Sequence, residues 1–152
     1  ALWPKLLQAK QAADLHTPSF NQRVAHEVVR DGFLSRHVPT VRARYKAQRD
    51  AMRSALERHF PAGCRWTVPT GGMFFWVELP EHVDALALLP HAVAAGVAFV
   101  PGAAFYCHAP RANTMRLSFV TASPERIETA LSILAAVLKK ELERCAHDAS
   151  PK

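Results

Sequence analysis

The sequence predicts an α/β protein of the α+β kind, in which a small mixed sheet is covered by helices. Three observations support this fold class. Apolar residues repeat at helical spacing near both ends of the chain, and short β-preferring runs lie in its middle and later parts. In addition, 49% of the 152 residues are hydrophobic, so the chain can bury one sizeable core. We therefore expect one soluble domain.

The first part of the chain shows two helical patterns. Thr17 is of a type that caps helices, and Pro18 can begin a helix that Gly32 ends. From about Ser35 to Phe60, apolar residues recur on one side of a longer helix. Pro39 marks the first turn of that helix or a kink in it.

Two strands joined by a glycine turn follow. Residues 64–68 and 73–79 are rich in β-preferring residues, and the second run contains Phe74, Phe75 and Trp76. Two adjacent glycines, at 71 and 72, separate the runs. Such a pair forms a turn between strands much more often than it forms a phosphate-binding loop.

The next segment predicts a helix and two further strands. Asp84 can cap a helix that runs, kinked at Pro90, to a C-terminal Gly96. Residues 97–100 form a short apolar run, and residues 115–120 form another, so both are predicted to be strands.

The closing helix has the clearest start signal in the chain. Ser123 offers a hydroxyl cap, Pro124 fits the first helical position, and Glu125 places a negative charge beside the positive end of the helix dipole. The predicted buried stripe consists of Ile127, Leu131, Leu134, Leu138 and Leu142. Residues 145–152 are expected to fray.

Composition excludes several classes of protein. The three cysteines are widely spaced and form no C-x-x-C pair, which argues against a disulfide framework and against a zinc site. Eight histidines without ligand spacing predict no metal site. We expect a reducing, cytoplasmic location. The net charge of +6 attracts anions of any kind without choosing among them.

One uncharged stretch, residues 85–106, is about as long as a bilayer-spanning helix. Pro90, Gly96 and the Pro101-Gly102 pair interrupt it, so we predict a buried helix followed by a strand and no membrane partner. The chain carries no secretory leader and opens without methionine, which suggests a piece of a longer protein.

Three motifs occur in order along the chain: Thr70–Trp76, Val97–Tyr106 and Met115–Phe119. Together they resemble the C-terminal domain of fold-type I, class I/II pyridoxal-phosphate aminotransferases. Residues 15–22 are similar to the branch that contains kynurenine/2-aminoadipate aminotransferases and the aminotransferase-like halves of winged-helix regulators. The resemblance spans about residues 10–140.

The resemblance implies an organisation for the chain. Its sheet would be largely antiparallel. Residues 1–32 would end the large domain or form an interdomain helical segment, residues 33–147 would form the C-terminal small domain, and residues 148–152 would be a tail.

The resemblance also implies a substrate-binding role for Arg116, whose guanidinium would bind the α-carboxylate of an amino or 2-oxo acid. A guanidinium stays charged and meets a carboxylate with two parallel N–H donors. Phe74 and Phe105 match aromatic positions that line the substrate pocket in this branch. Taken alone, Arg116 would be an edge arginine or half of a structural ion pair, and the two phenylalanines ordinary core.

Pyridoxal phosphate is the cofactor that the resemblance implies for the full-length parent. None of the six lysines lies in the Ser-x-Ser-Lys type of context where the family places its catalytic lysine. That lysine is expected upstream of Ala1, so this chain is predicted to contain no catalytic, cofactor-binding or metal-binding residue. By itself it should neither bind the cofactor covalently nor transaminate.

The parent is then expected to move an amino group between an amino acid and a 2-oxo acid, as a homodimer. Residues 14–22 would approach the dimer interface. The alternative is an effector-sensing, aminotransferase-like half of a winged-helix transcriptional regulator, and only that parent would bind nucleic acid. A stand-alone binding module is a third hypothesis. The basic stripe of the long helix (Arg42, Lys46, Arg49 and Arg53) is expected to be a solvated face.

Overall fold

In a computed structural model of the protein, residues 2–148 are described, except for the side chains of Ala146 and Asp148. The α-helices are α1 (Trp3–Ala13), α2 (Ser19–Val29), α3 (Phe33–His59), α4 (Ala85–Ala94) and α5 (Pro124–Asp148). The strands are β1 (Arg65–Thr67), β2 (Phe74–Glu78), β3 (Val100–Pro101) and β4 (Thr114–Ser118). A short 3-10 helix spans Gly102–Phe105.

The chain divides into two compact units, Ala1–Arg42 and Ala43–Lys152, and the boundary falls inside α3. The predicted domains (1–32, 33–147 and a tail from 148) place a boundary ten residues earlier, and their assignment to large and small domains stays a prediction. Residues 149–152 of that tail lie outside the described residues.

The first unit contains the predicted helix α2 and one helix that was not predicted, α1. Thr17 does not cap α2, because its hydroxyl donates to Asp14 Oδ2 at 3.3 Å and the N-cap position belongs to Pro18. Helix α1 buries none of its side chains in the described structure, so it lacks the buried stripe on which the sequence prediction depends.

The second unit is built on a four-stranded sheet of order β1-β2-β4-β3. Each neighbouring pair in this described sheet is antiparallel, which confirms a largely antiparallel sheet. In the central pair, Trp76 lies opposite Arg116 and Val77 lies opposite Met115. Because side chains alternate along a strand, this register assigns each residue to one of two faces.

One face of the sheet carries the hydrophobic core. Phe75 and Val77 of β2 and Met115 and Leu117 of β4 are at most 4% exposed. They form one cluster with α3, α4 and α5, to which the helices contribute Met52, Leu56, Leu88, Ile127, Leu131, Leu134 and Leu138. The predicted stripe of α5 is confirmed except at its end, where Leu142 is half-buried. Burial of this kind is the dominant favourable term in folding.

The predicted start signals of α4 and α5 are confirmed. Asp84 Oδ1 accepts hydrogen bonds from the backbone N–H of Leu86 at 2.7 Å and of Ala87 at 3.4 Å. Ser123 Oγ accepts one from the N–H of Arg126 at 3.4 Å. At the start of α5, hydrogen bonding from Ser123 and from the backbone lowers the pKa of Glu125. Pro90 and Pro39 lie inside α4 and α3.

The predicted strand at residues 97–100 is wrong in its position. Val97 and Phe99 are buried, but the strand that pairs with β4 contains Val100 and Pro101 alone. The apolar character of Val97 and Phe99 therefore indicates burial and not pairing with a neighbouring strand. Pro101 has no N–H to extend the ladder, and the 3-10 helix begins at the next residue.

Gly102 allows this 3-10 helix to lie directly on β4. A Cβ atom at this position would overlap Thr114 Oγ1, lie 2.7 Å from Thr114 Cβ, and lie 2.8 Å from Cη2 of Trp76. Both Gly102 and Thr114 are buried. Only a residue without a side chain fits at this crossing.

No helix among residues 2–148 is long and apolar enough to cross a bilayer.

We expect Gly102→Ala to lower the free energy of unfolding by about 1–3 kcal/mol, the usual range for an added methyl in a packed site. The measurement is urea unfolding of the purified protein. Gly71→Ala is the control, because a Cβ at Gly71 meets nothing within 4 Å. It should change stability by no more than about 0.5 kcal/mol. Equal effects of the two substitutions would contradict the close approach at Gly102.

Candidate functional site

Arg116 lies on the face of the sheet opposite the core, which we call the outer face. The outer face carries Phe74, Trp76 and Glu78 of β2, together with Thr114, Arg116 and Ser118 of β4. Arg116 occupies the middle of β4, one of the two inner strands, between Trp76 on one side and Val100 on the other. Its side chain is half-buried. The sheet therefore presents one guanidinium near its centre.

Two phenylalanine rings contact this guanidinium. Arg116 Cζ lies over the Phe74 ring, 4.1 Å from its centroid, and over the Phe105 ring, 4.8 Å from its centroid. Phe74 belongs to β2, whereas Phe105 ends the 3-10 helix. A cation over an aromatic face gains about 0.5–1 kcal/mol at exposed sites and more when water is excluded.

The acidic residue of β2 on the outer face is already bound by other cations. Glu78 Oε1 accepts from Arg111 at 2.9 Å, and Glu78 Oε2 accepts from Arg111 at 3.2 Å and from Arg65 at 3.1 Å. These hydrogen bonds, that of Arg111 first, lower the pKa of Glu78, which keeps it ionised and paired. Glu78 is therefore committed to Arg111 and Arg65.

Arg116 has no carboxylate partner among the described residues. Three arginines in residues 2–148 are half-buried, and the other two, Arg49 and Arg111, are paired with Asp50 and Glu78. Removing a charge from water without an opposite charge is unfavourable. The Arg116 guanidinium therefore offers an anion site in which its planar N–H fork is unused.

The structure brings the three predicted site residues, Arg116, Phe74 and Phe105, into one cluster. Neither phenylalanine is core, since Phe74 is 37% exposed and Phe105 is 49% exposed. The two rings therefore leave apolar surface beside the guanidinium. Their role towards a substrate stays a prediction.

Sequence reasoning missed other members of this cluster. Trp76, for which the sequence predicts only a place in a strand, lies edge-on to Phe105, with ring centroids 5.8 Å apart and planes at 79°. Its ring centroid is also 6.1 Å from that of Tyr106. One signal was present, because Phe74 and Trp76 are two residues apart on a strand and so share a face. The pairing of Trp76 with Arg116 had no local signal.

Two other candidate segments have contacts of their own. In the first unit, Asp14 forms an ion pair with Lys10 at 2.9 Å, and the His16 ring is hydrogen-bonded to Thr17 O. The interface role of residues 14–22 stays a prediction. The basic stripe of α3 is partly neutralised. Lys46 and Arg49 contact Asp50, and Arg53 contacts Glu57.

The cysteines give no sign of a reactive thiol pair. Cys64, Cys107 and Cys145 are free, and burial raises the pKa of the Cys64 thiol to about 11. A thiol with a raised pKa is a poor nucleophile and a poor metal ligand at neutral pH. Within residues 2–148, no group of three His, Cys, Asp or Glu side chains is arranged to hold a metal ion.

The sequence profile of the family described as aminotransferase class I and II matches residues 6–134. The chain is 46% identical over 140 residues to aromatic-amino-acid aminotransferase 1 of Thermococcus litoralis, covering 92% of this chain and 34% of that protein. It is 29% identical over 140 residues to an HTH-type transcriptional regulator, YdfD, of Bacillus subtilis, covering 92% of this chain and 29% of the regulator.

Among solved structures, the fold is similar to LysN, the α-aminoadipate aminotransferase of Thermus thermophilus, in complex with N-(5'-phosphopyridoxyl)-L-leucine. The TM-score is 0.81 and the identity 43%, over 93% of this chain and 36% of that chain. The chain spans about a third of the length of the curated relatives it matches.

We expect Glu78→Gln to lower stability most at neutral pH. The folded-state pKa of Glu78 is lowered, so the carboxylate stabilises the fold fully above its unfolded pKa of about 4.3. This contribution is lost as the pH falls through the folded-state pKa. The measurement is urea unfolding of the wild-type and Gln proteins from pH 7 to pH 3, and the difference should shrink below about pH 4.

The matched control for this pH series is Glu143→Gln, on the exposed side of α5 and without an ion pair in the described structure. It should change the free energy of unfolding by no more than about 0.5 kcal/mol at every pH. A Glu78→Gln difference that stays constant from pH 7 to pH 3 would contradict the ion-paired carboxylate.

Proposed function

Because the chain belongs to the class I and II aminotransferases, we propose that it is the C-terminal part of an enzyme that moves an amino group between an amino acid and a 2-oxo acid. Within that enzyme, Arg116 binds the α-carboxylate of the substrate. The observation that carries this proposal is the half-buried guanidinium of Arg116, which contacts two aromatic rings and has no carboxylate partner among residues 2–148.

The chemistry of the cluster supports carboxylate binding. A carboxylate that meets the edge of a guanidinium accepts two parallel hydrogen bonds, so the substrate gains direction as well as attraction. Phe74 and Phe105 contact the guanidinium and restrict its movement. They also exclude water from one side of it, which strengthens a charge-assisted hydrogen bond at its edge.

Pyridoxal phosphate is the cofactor that we propose for the full-length protein, in line with the phosphopyridoxyl ligand of the Thermus relative. When bound, it supplies the electron sink for chemistry at the α-carbon of the substrate. The residues in the described part of the second unit do not fit covalent attachment of that cofactor. The described lysines of the second unit are Lys46, Lys139 and Lys140. They lie on α3 and α5, which pack against the core face of the sheet and not against the outer face.

The part of the site that holds the cofactor is therefore proposed to lie outside this chain. We further propose that the full-length protein is a cytoplasmic homodimer in which residues 14–22 approach the interface. Exposed apolar side chains of the first unit support this proposal, because large exposed apolar patches mark sites of interaction with another protein. Five such side chains are each at least 60% exposed: Leu2, Trp3, Leu6, Leu15 and Phe20.

A second candidate is the effector-sensing half of a winged-helix transcriptional regulator. The similarity to the Bacillus subtilis regulator favours it, but at 29% identity against 46% for the Thermococcus litoralis aminotransferase. A winged-helix pattern upstream of the cofactor-binding part would select the regulator. Either parent would use Arg116 to bind a carboxylate.

We expect Arg116→Lys, in the full-length protein, to raise the KM for the amino acid and to lower kcat/KM by one to two orders of magnitude. Lysine keeps the charge but loses the two-donor fork, and a charge-assisted hydrogen bond contributes about 1.5–3 kcal/mol. Steady-state kinetics with L-phenylalanine and L-2-aminoadipate measure the effect.

The control for this substitution is Arg126→Lys, at an exposed arginine of α5. It should leave both kinetic parameters at the wild-type value. If Arg116→Lys is kinetically silent as well, Arg116 is not the carboxylate-binding residue.

A separate expectation concerns the chain by itself. Incubated with pyridoxal phosphate and reduced with borohydride, it should not acquire one stoichiometric covalent label, because no lysine of the second unit's described part lies on the outer face. Mass spectrometry of the intact chain measures the label. A single lysine that is labelled to completion, with a visible absorption band that reduction abolishes, would contradict this expectation.

A further inference from the structure

Trp76 lies beside Arg116 on the outer face of the sheet and is linked to its guanidinium in two ways. Its Cα lies opposite that of Arg116 in the β2–β4 pair. Its ring lies edge-on to Phe105, and Phe105 lies over the guanidinium. The two residues are therefore linked twice, through the backbone ladder and through the Phe105 ring.

The same indole ring limits how closely the 3-10 helix approaches the sheet. Trp76 Cη2 would lie 2.8 Å from a Cβ atom at Gly102, so the far end of the indole lies against the first residue of that helix. Phe105 is the last residue of the same helix. Trp76 thus contacts the helix at both its ends, and the second of these ends carries the Phe105 ring that contacts Arg116.

Core packing does not account for Trp76. It is half-buried on the outer face, and it is not a member of the hydrophobic cluster that the sheet forms with α3, α4 and α5. Phe105 is 49% exposed, and Trp76 is the one aromatic side chain that contacts it in the described structure. Without the indole, the Phe105 ring would lose its lateral support and the guanidinium would lose one of its two aromatic contacts.

We propose that Trp76 is a positioning residue for Arg116, which acts through Phe105 and the 3-10 helix to hold the guanidinium fork in the direction that a substrate carboxylate requires. This inference rests on the proposed function, because it assumes that Arg116 binds the carboxylate. It extends that function by assigning the direction of the fork to a residue other than Arg116, Phe74 and Phe105.

The test is a double-mutant cycle in the full-length protein, with kcat and KM measured for L-phenylalanine or L-2-aminoadipate, whichever the wild-type protein uses faster. Trp76→Leu should raise KM about 5- to 30-fold and change kcat by a smaller factor, a coupling typical of residues in contact. In an Arg116→Lys background, Trp76→Leu should change KM less than about twofold, because an ammonium has no planar fork to misdirect.

Two further variants separate positioning from stability. Trp76→Phe keeps an aromatic ring beside Phe105 and should recover part of the KM. It also replaces Trp76→Leu in the cycle if the Leu protein does not fold, as judged by thermal unfolding. Trp66→Leu is the matched control, because Trp66 packs towards the core side, with its ring centroid 6.4 Å from that of Phe60. It should lower the unfolding temperature but change KM equally in both backgrounds.

Each outcome decides a different question. If Trp76 substitutions change KM by the same factor with arginine and with lysine at position 116, Trp76 supports the structure generally and the positioning role is overturned. If Arg116→Lys by itself leaves KM unchanged, the proposed function fails, and the positioning role fails with it. The proposal is supported if Trp76→Leu raises KM with arginine at position 116 but not with lysine there.

Discussion

The antiparallel register of β2 and β4 places Trp76 opposite Arg116 and Val77 opposite Met115, and the other features of the second unit depend on this pairing. Side chains alternate between the faces of a strand, so a slip of one residue would turn Arg116 into the core and Met115 out of it. Burial of Phe75, Val77, Met115 and Leu117 against three helices makes such a slip unfavourable. The core therefore determines on which face of the sheet the guanidinium lies.

The charge on the outer face is arranged so that Arg116 stays available. Glu78, two residues from Trp76 along β2, binds both Arg111 and Arg65 and has little capacity left for a third cation. The aromatic faces of Phe74 and Phe105 stabilise the Arg116 cation without neutralising it. A carboxylate partner within the protein would have stabilised Arg116 more strongly, but it would have competed with any carboxylate from solution.

Local signals predicted the helices with caps and missed the features made by packing. The N-terminal ends of α4 and α5 could be predicted from Asp84 and Ser123, because an N-cap residue acts on the first turn of its own helix. The strand predicted at residues 97–100 was displaced, because the apolar side chains of Val97 and Phe99 are buried without pairing. The 3-10 helix at Gly102 was also missed. Its position depends on the fit of a bare glycine against Thr114, twelve residues further along the chain.

The sequence by itself determined the α+β class, the order of the major elements of the second unit, and the family to which the chain belongs. It also pointed to Arg116, Phe74 and Phe105, because the motifs that contain them resemble those of the family. The tertiary structure alone decided that these three side chains meet, that Glu78 is occupied by other arginines, and that Trp76 lies against the cluster. The physical reason is that caps and apolar repeats act within a few residues. A strand register and the close approach of Gly102 to β4 depend instead on contacts between distant parts of the chain, which no single segment encodes.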